Sequence, residues 1–95
     1  MSETIDGLTI AFSEEGLETT KELDKQILSK GAWTTIIFKY QDWDKKKEVY
    51  GPTKYSIRRY QKRNNQYWQK SKFNISSDDQ AQKIMVILTE WLKKS

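Results

Sequence analysis

Lys54-Tyr55-Ser56-Ile57-Arg58-Arg59-Tyr60-Gln61-Lys62-Arg63 is the stretch whose reading decides the fold. Cationic and aromatic residues interleave here around a single isoleucine. A helix would scatter them around its circumference, whereas a strand sends successive side chains to opposite faces. The stretch reads as a β-strand from Lys54 to about Lys62, with rings and charges on an exposed sheet surface. Arginine and lysine neutralise phosphates, and a tyrosine ring offers a flat platform for an unpaired base.

Asn64-Asn65 follows directly and marks a tight turn, because asparagine tolerates positive φ. The returning strand covers Gln66 to about Ile75. Two registers are open. A two-residue loop puts Ile57 on one face with Trp68, Lys70 and Lys72. A three-residue loop with a bulge groups Tyr55, Ile57, Tyr67 and Phe73, and leaves Ser56, Arg58, Tyr60, Lys62, Trp68, Lys70 and Lys72 opposite. The second separates an apolar side from a basic–aromatic side, as a half-buried sheet requires, and is the register expected.

On the N-terminal side, Trp33-Thr34-Thr35-Ile36-Ile37-Phe38-Lys39-Tyr40 is rich in β-branched and aromatic residues and reads as a central strand. Residues 41–53, with Lys45-Lys46-Lys47 and Gly51-Pro52, read as a loop. Residues 1–22 read as an acidic arm, a flexible leader or a sheet edge, and residues 23–95 as one nucleic-acid-binding domain. Leu8, Ile10 and Phe12 alternate within the arm and allow a short strand.

On the C-terminal side, Ser77 and Gln80 fit a capping box, Asp78 and Asp79 sit in a first helical turn, and Lys93 and Lys94 in a last. Ala81, Ile84, Met85, Ile87, Leu88, Trp91 and Leu92 form an apolar stripe, with Val86 beyond it. The stripe is broad for a helix that covers a small sheet. A second subunit, or the N-terminal arm folded back, accounts for the excess.

The whole chain has 95 residues, enough for one modest core. It has no cysteine and no histidine, which excludes disulfides, thiolate nucleophiles, Ser-His-Asp triads and ordinary zinc sites. Asp42 and Asp44 lack a partner base or a third ligand, so neither catalysis nor a bound metal or other cofactor is expected. No apolar run approaches the roughly 20 residues of a membrane span, and the N-terminus has no signal pattern. A cytoplasmic protein is the expectation.

The net charge of +4 conceals an asymmetry. Residues 1–27 carry seven carboxylates and two lysines, while ten cations and only Glu48 lie between Lys45 and Lys72. Ten of the twelve aromatic residues fall between Trp33 and Phe73. A basic block interleaved with aromatics points to an anionic, base-bearing partner. Single-stranded DNA is the expected ligand, with RNA on the same surface or an acidic protein as alternatives. Arg58, Lys62, Lys70 and Lys72 are the candidates for phosphates, and Tyr60 and Trp68 for bases. Lys45, Lys46, Lys47, Lys54 and Arg63 are candidates for further phosphate contacts.

The order of parts adds a resemblance. Lys30-Gly31-Ala32-Trp33, then Lys54-Tyr55-Ser56-Ile57-Arg58-Arg59-Tyr60, then a basic hairpin, then Phe73-Asn74-Ile75-Ser76-Ser77 entering a helix, resembles the positive-cofactor-four family of transcriptional coactivators, above all its short bacterial members. It spans about residues 27–93 and rests on order and spacing. The chain departs from the family in having Lys70-Ser71-Lys72 where Arg-Lys-Gly is frequent, and in its long 41–53 loop. The resemblance implies an α+β fold, a curved four-stranded antiparallel sheet followed by one C-terminal helix, and a homodimer. It implies a nucleoid-associated, single-stranded-DNA-binding transcription cofactor whose binding positions are Arg58, Tyr60, Gln61, Lys70 and Lys72.

Overall fold

The computed structural model describes Ile5 and residues 7–93. Six strands and one helix follow in chain order: β1 (Phe12–Glu14), β2 (Leu17–Ser29), β3 (Trp33–Asp44), β4 (Val49–Tyr50), β5 (Lys54–Arg63), β6 (Gln66–Ile75) and α1 (Asp78–Lys93). All pairings are antiparallel, in the order β1-β2-β3-β5-β6, with β4 paired to the end of β3. The sheet curls into a half-barrel, and the α+β class holds.

The expected count of four strands is corrected to six. The region read as an arm contributes β1 and the first half of the 13-residue β2. A division after residue 22 therefore falls inside β2. The 41–53 loop is likewise shorter than expected, because β3 runs on to Asp44 and pairs with β4 through Trp43↔Tyr50 and Asp44↔Val49. The indole of Trp43 meets the Tyr50 ring edge-on at 5.1 Å.

The core lies on one face, termed inner. Alternation along β3 sends Thr34, Ile36, Phe38 and Tyr40 inward, all buried. Tyr60 and Tyr67 join them from β5 and β6, and Ile27 from β2 packs at the margin. What closes this face is the segment before β1, whose Leu8 and Ile10 are buried against the same cluster. Two side chains of β2 hold that segment. Lys25 Nζ donates to the Ile5 carbonyl at 3.3 Å and to the Leu8 carbonyl at 2.7 Å. Glu22 Oε1 accepts from the Thr9 hydroxyl at 2.6 Å and the Ile10 N–H at 3.3 Å. An irregular segment crossing a sheet has no ladder to satisfy its backbone, so these charged groups supply the missing partners.

The β5–β6 hairpin differs from the expected register. Its loop is the two-residue turn Asn64-Asn65, with φ of 52° and 63°. Positive φ at both positions matches the right-handed strand twist. A bulge opposite Arg59/Tyr60 then leaves Lys70 without a cross-strand partner. The pairs Tyr60↔Gln69, Gln61↔Trp68 and Lys62↔Tyr67 lie on the turn side, and Arg58↔Lys72 and Ile57↔Phe73 beyond the bulge. Tyr67 consequently faces inward with Ser56, Arg58, Tyr60 and Lys62, while Trp68 faces outward with Ile57. The two aromatics are exchanged relative to the expected grouping. Tyr55 and Ile57 also lie outward, away from the main core.

The helix starts as expected. Ser77 Oγ accepts from the Gln80 N–H at 3.1 Å, and Gln80 Oε1 accepts from the Ser76 N–H at 3.0 Å. The Tyr55 hydroxyl donates to Asp78 Oδ1 at 2.8 Å and ties the first turn to β5. That bond holds the Tyr55 phenol above its ordinary pKa, with desolvation and the carboxylate charge adding in the same direction. No residue of α1 is buried, and Met85, Val86, Ile87, Leu88 and Leu92 are exposed. Among the described residues, Leu8 and Ile10 pack on the sheet instead of folding back over the helix. No helix is long and apolar enough to cross a membrane among those residues.

Candidate nucleic-acid interface

The expected site residues divide between two faces and two ends of the sheet. Arg58, Tyr60, Lys62 and Lys72 belong to the inner face. Gln61, Arg63 and Trp68 belong to the outer face, and Lys70 sits in the bulge between them.

Tyr60 is 3 % exposed, so its ring is a core element and offers no platform to a base. Its expected stacking role is corrected for that reason. Burial pushes its phenol up, against an opposing pull from the Arg58 guanidinium and a smaller push from Glu22. Arg58 is fixed at the rim of the same face. Its Nε donates to Ser56 Oγ at 3.1 Å, and a terminal nitrogen donates to Gln69 Oε1 at 3.0 Å. Ser56 in turn donates to Asn74 Oδ1 at 2.7 Å. This chain of side chains fills a polar seam across β5 and β6, and guanidinium donors remain for an anion. Lys62 reaches over the inward Tyr67 ring at 5.8 Å.

Trp68 is different. It stands 43 % exposed, beside a recess of about 340 Å³ lined by Arg63, Asn64, Trp68, Gln69 and Lys70. Two cations, two amides and one indole converge there at the tip of the hairpin. The bulge contributes directly, because an extra residue frees Lys70 from the ladder and re-aims its side chain. An aromatic face flanked by cations and amides can stack a base, hold a phosphate and hydrogen-bond a base edge.

The lysines of the other end do not join this cluster. Tyr40↔Lys54 and Trp33↔Gln61 mark opposite ends of the β3–β5 ladder. Asp44 lies eleven residues from Trp33 along one strand, roughly 35 Å at strand rise. Lys45, Lys46 and Lys47 project beyond that far end, exposed, around a turn whose Lys46 and Lys47 N–H groups donate to Asp44 Oδ1. Lys54 is engaged by Asp42 at 3.3 Å, both side chains partly exposed. Such a pair contributes little to stability, but a phosphate at Lys54 would have to compete with the Asp42 carboxylate.

Sequence reading missed Trp33 and Arg59. The Arg59 guanidinium lies over the Trp33 ring, 4.7 Å from its centroid, on the outer face. The signal was available in the β3 alternation, where Trp33, Thr35 and Ile37 share a face. It could not be used until the β3–β5 register was known. Among the described residues no group of carboxylates is arranged to hold a metal.

No protein-family model, curated protein or solved structure matches this chain.

Proposed function

We propose that this protein binds single-stranded nucleic acid, DNA in the first place, through the tip and outer face of the β5–β6 hairpin, as a sequence-tolerant transcription cofactor or DNA-processing accessory. The observation that carries the reading is the exposed Trp68 indole set among Arg63, Lys70, Asn64 and Gln69. Rings and cations together suit an unpaired strand, whose bases are free to stack, better than a duplex, whose bases are already stacked. Arg58, Lys62 and Lys72 add cations on the opposite, inner face, which a strand passing around β6 would meet. The exposed apolar residues of α1 are the surface on which a second copy would dock, giving a homodimer with two hairpins.

A fluorescence titration with an unstructured oligonucleotide over a salt series tests this. Affinity falls with a logarithmic slope of about −0.7 per phosphate neutralised on a single strand. Trp68→Ala weakens binding and leaves the slope unchanged, whereas Lys70→Ala makes the slope shallower by about that one increment. A matched RNA strand in competition assigns the sugar preference. No binding to any single strand at low salt would falsify the reading.

A further inference from the structure

The outer face carries an aromatic row that crosses three strands. Trp33 of β3 pairs with Gln61 of β5, and Gln61 pairs with Trp68 of β6. Side chains in one row of a sheet share a face, so the two indoles flank the Gln61 carboxamide about 10 Å apart, two strand spacings. Trp33 is 42 % and Trp68 43 % exposed. Large rings half in solvent are not what a sheet needs for its own packing.

The row is also held in place. The Lys62 N–H donates to the Ala32 carbonyl at 2.8 Å, and the Thr34 hydroxyl donates to the Gly31 carbonyl at 3.2 Å, so the backbone is fixed on both sides of Trp33. Gly31 makes the bend into β3 with a φ of 146°, a region side chains avoid. Arg59, one row along, lies over the Trp33 ring. The outward positions of β3, β5 and β6 include Lys39, Arg59 and Arg63 and no carboxylate.

We propose that Trp33, Gln61 and Trp68, with Arg59, form a platform for two adjacent bases of a single strand. One base stacks on the Trp33–Arg59 pair and the next on Trp68. The Gln61 carboxamide lies between them, with a donor and an acceptor for a base edge. Arg59 adds a charge for the connecting phosphate, and its planar guanidinium extends the indole surface. The occupant is single-stranded nucleic acid because this end of the face combines rings, cations and an amide, while the acids of the face, Asp24 paired with Lys39 and Asp78 bonded to Tyr55, lie roughly 20 Å away along the strands. An acidic protein would satisfy the cations and leave the indoles unmatched. The assignment rests on the function proposed above and adds Trp33 and Arg59 to the site.

The test compares an oligothymidylate with a fully abasic strand of equal length, which keeps the phosphates and lacks the bases. Wild-type protein prefers the thymidylate, and Trp33→Ala loses about 5- to 100-fold of that preference, in line with the loss of one stacked base. The same variant binds the abasic strand as wild type does, and an unchanged circular dichroism spectrum and urea midpoint show that it is folded. Trp33→Phe retains most of the preference. A matched oligouridylate distinguishes RNA from DNA as the source of the bases. If Trp33→Ala keeps the full preference while Trp68→Ala loses it, the two-base platform is overturned and nucleic-acid binding stands. If wild type binds both strands equally, the platform is overturned and the protein is a phosphate binder only. If wild type binds neither at low salt, the proposed function fails as well.

Discussion

At the level of single residues, Tyr60 and Trp68 show how one register decides between core and ligand. Both are aromatic residues with a glutamine next and a lysine two positions on, and strand alternation alone does not tell which of them faces the core. Tyr60 shares the inner face with Ile36 and Phe38, while Trp68 is paired to Gln61 on the outer face. Truncating Tyr60 to alanine should therefore act on stability, at about 3–5 kcal/mol by analogy with other large buried rings, measured by urea denaturation. Binding by the fraction that remains folded should change little. The pH dependence follows from the same burial. The folded-state pKa of Tyr60 lies above the unfolded value of 10.0, so its neutral form favours the fold. That contribution is complete below pH 10 and is lost as pH rises through the higher folded value. A stability profile flat across that alkaline range in wild type and Tyr60→Phe alike would contradict this.

The hairpin and the helix carry the argument at the level of elements. The turn places Asn64 and Asn65 in the left-handed region, where glycine fits the second position without a side-chain penalty. Asn65→Gly relieves that conformation but adds an unfolded-chain entropy cost of roughly 0.5–1 kcal/mol, so the thermal midpoint should move little and the hairpin register stay intact. Both strands and the place of the turn at Asn64-Asn65 were legible in the sequence, but its length was not, since a three-residue loop was expected and a two-residue loop forms. The bulge at Lys70 was not legible, since Gln-Lys-Ser-Lys has no glycine or other mark of where the ladder shifts. The two-residue loop sends Tyr67 inward and Trp68 outward, opposite to the faces expected, and the bulge then restores the expected grouping of Ile57 with Phe73 and Arg58 with Lys72, so the composition of the site depends on loop length and bulge together. For α1, the cap at Ser77 was readable because capping is a local hydrogen-bond pattern: the Gln80 N–H bonds Ser77 as expected, while the Gln80 side chain reaches one residue further back, to the Ser76 N–H. Ser77→Ala should cost about 1 kcal/mol, read as a lower thermal midpoint by helical circular dichroism.

At the level of the whole molecule, the segment before β1 completes the core. Leu8 and Ile10 are buried against residues of β3, β5 and β6 that lie 26 or more positions away in the chain. Leu8→Ala should cost about 2–5 kcal/mol despite its place in an acidic, glycine-punctuated stretch, checked by urea denaturation. The exposed side of α1 leads to a second expectation at this scale. Ile87→Asp should leave the sheet folded and shift the protein to monomer in sedimentation, if the helices meet in the proposed dimer. An unchanged sedimentation coefficient would sink that arrangement.

The central strand, the hairpin, its turn, the capped helix and the basic–aromatic bias were all written locally. Each rests on alternation, turn chemistry or composition, which short-range sterics and solvation impose. Which face of the sheet becomes core was not. From Trp33 to Phe38 both faces of β3 are apolar or carry threonine, with Thr34, Ile36 and Phe38 on one and Trp33, Thr35 and Ile37 on the other, so alternation over that stretch cannot choose, and only Lys39 marks the outer side. The choice is made by Leu8 and Ile10 crossing the inner face, held by Lys25 and Glu22 of β2. Burying that face fixes Arg58 at its rim and Tyr60 within it, and leaves Trp33, Arg59, Gln61 and Trp68 to solvent.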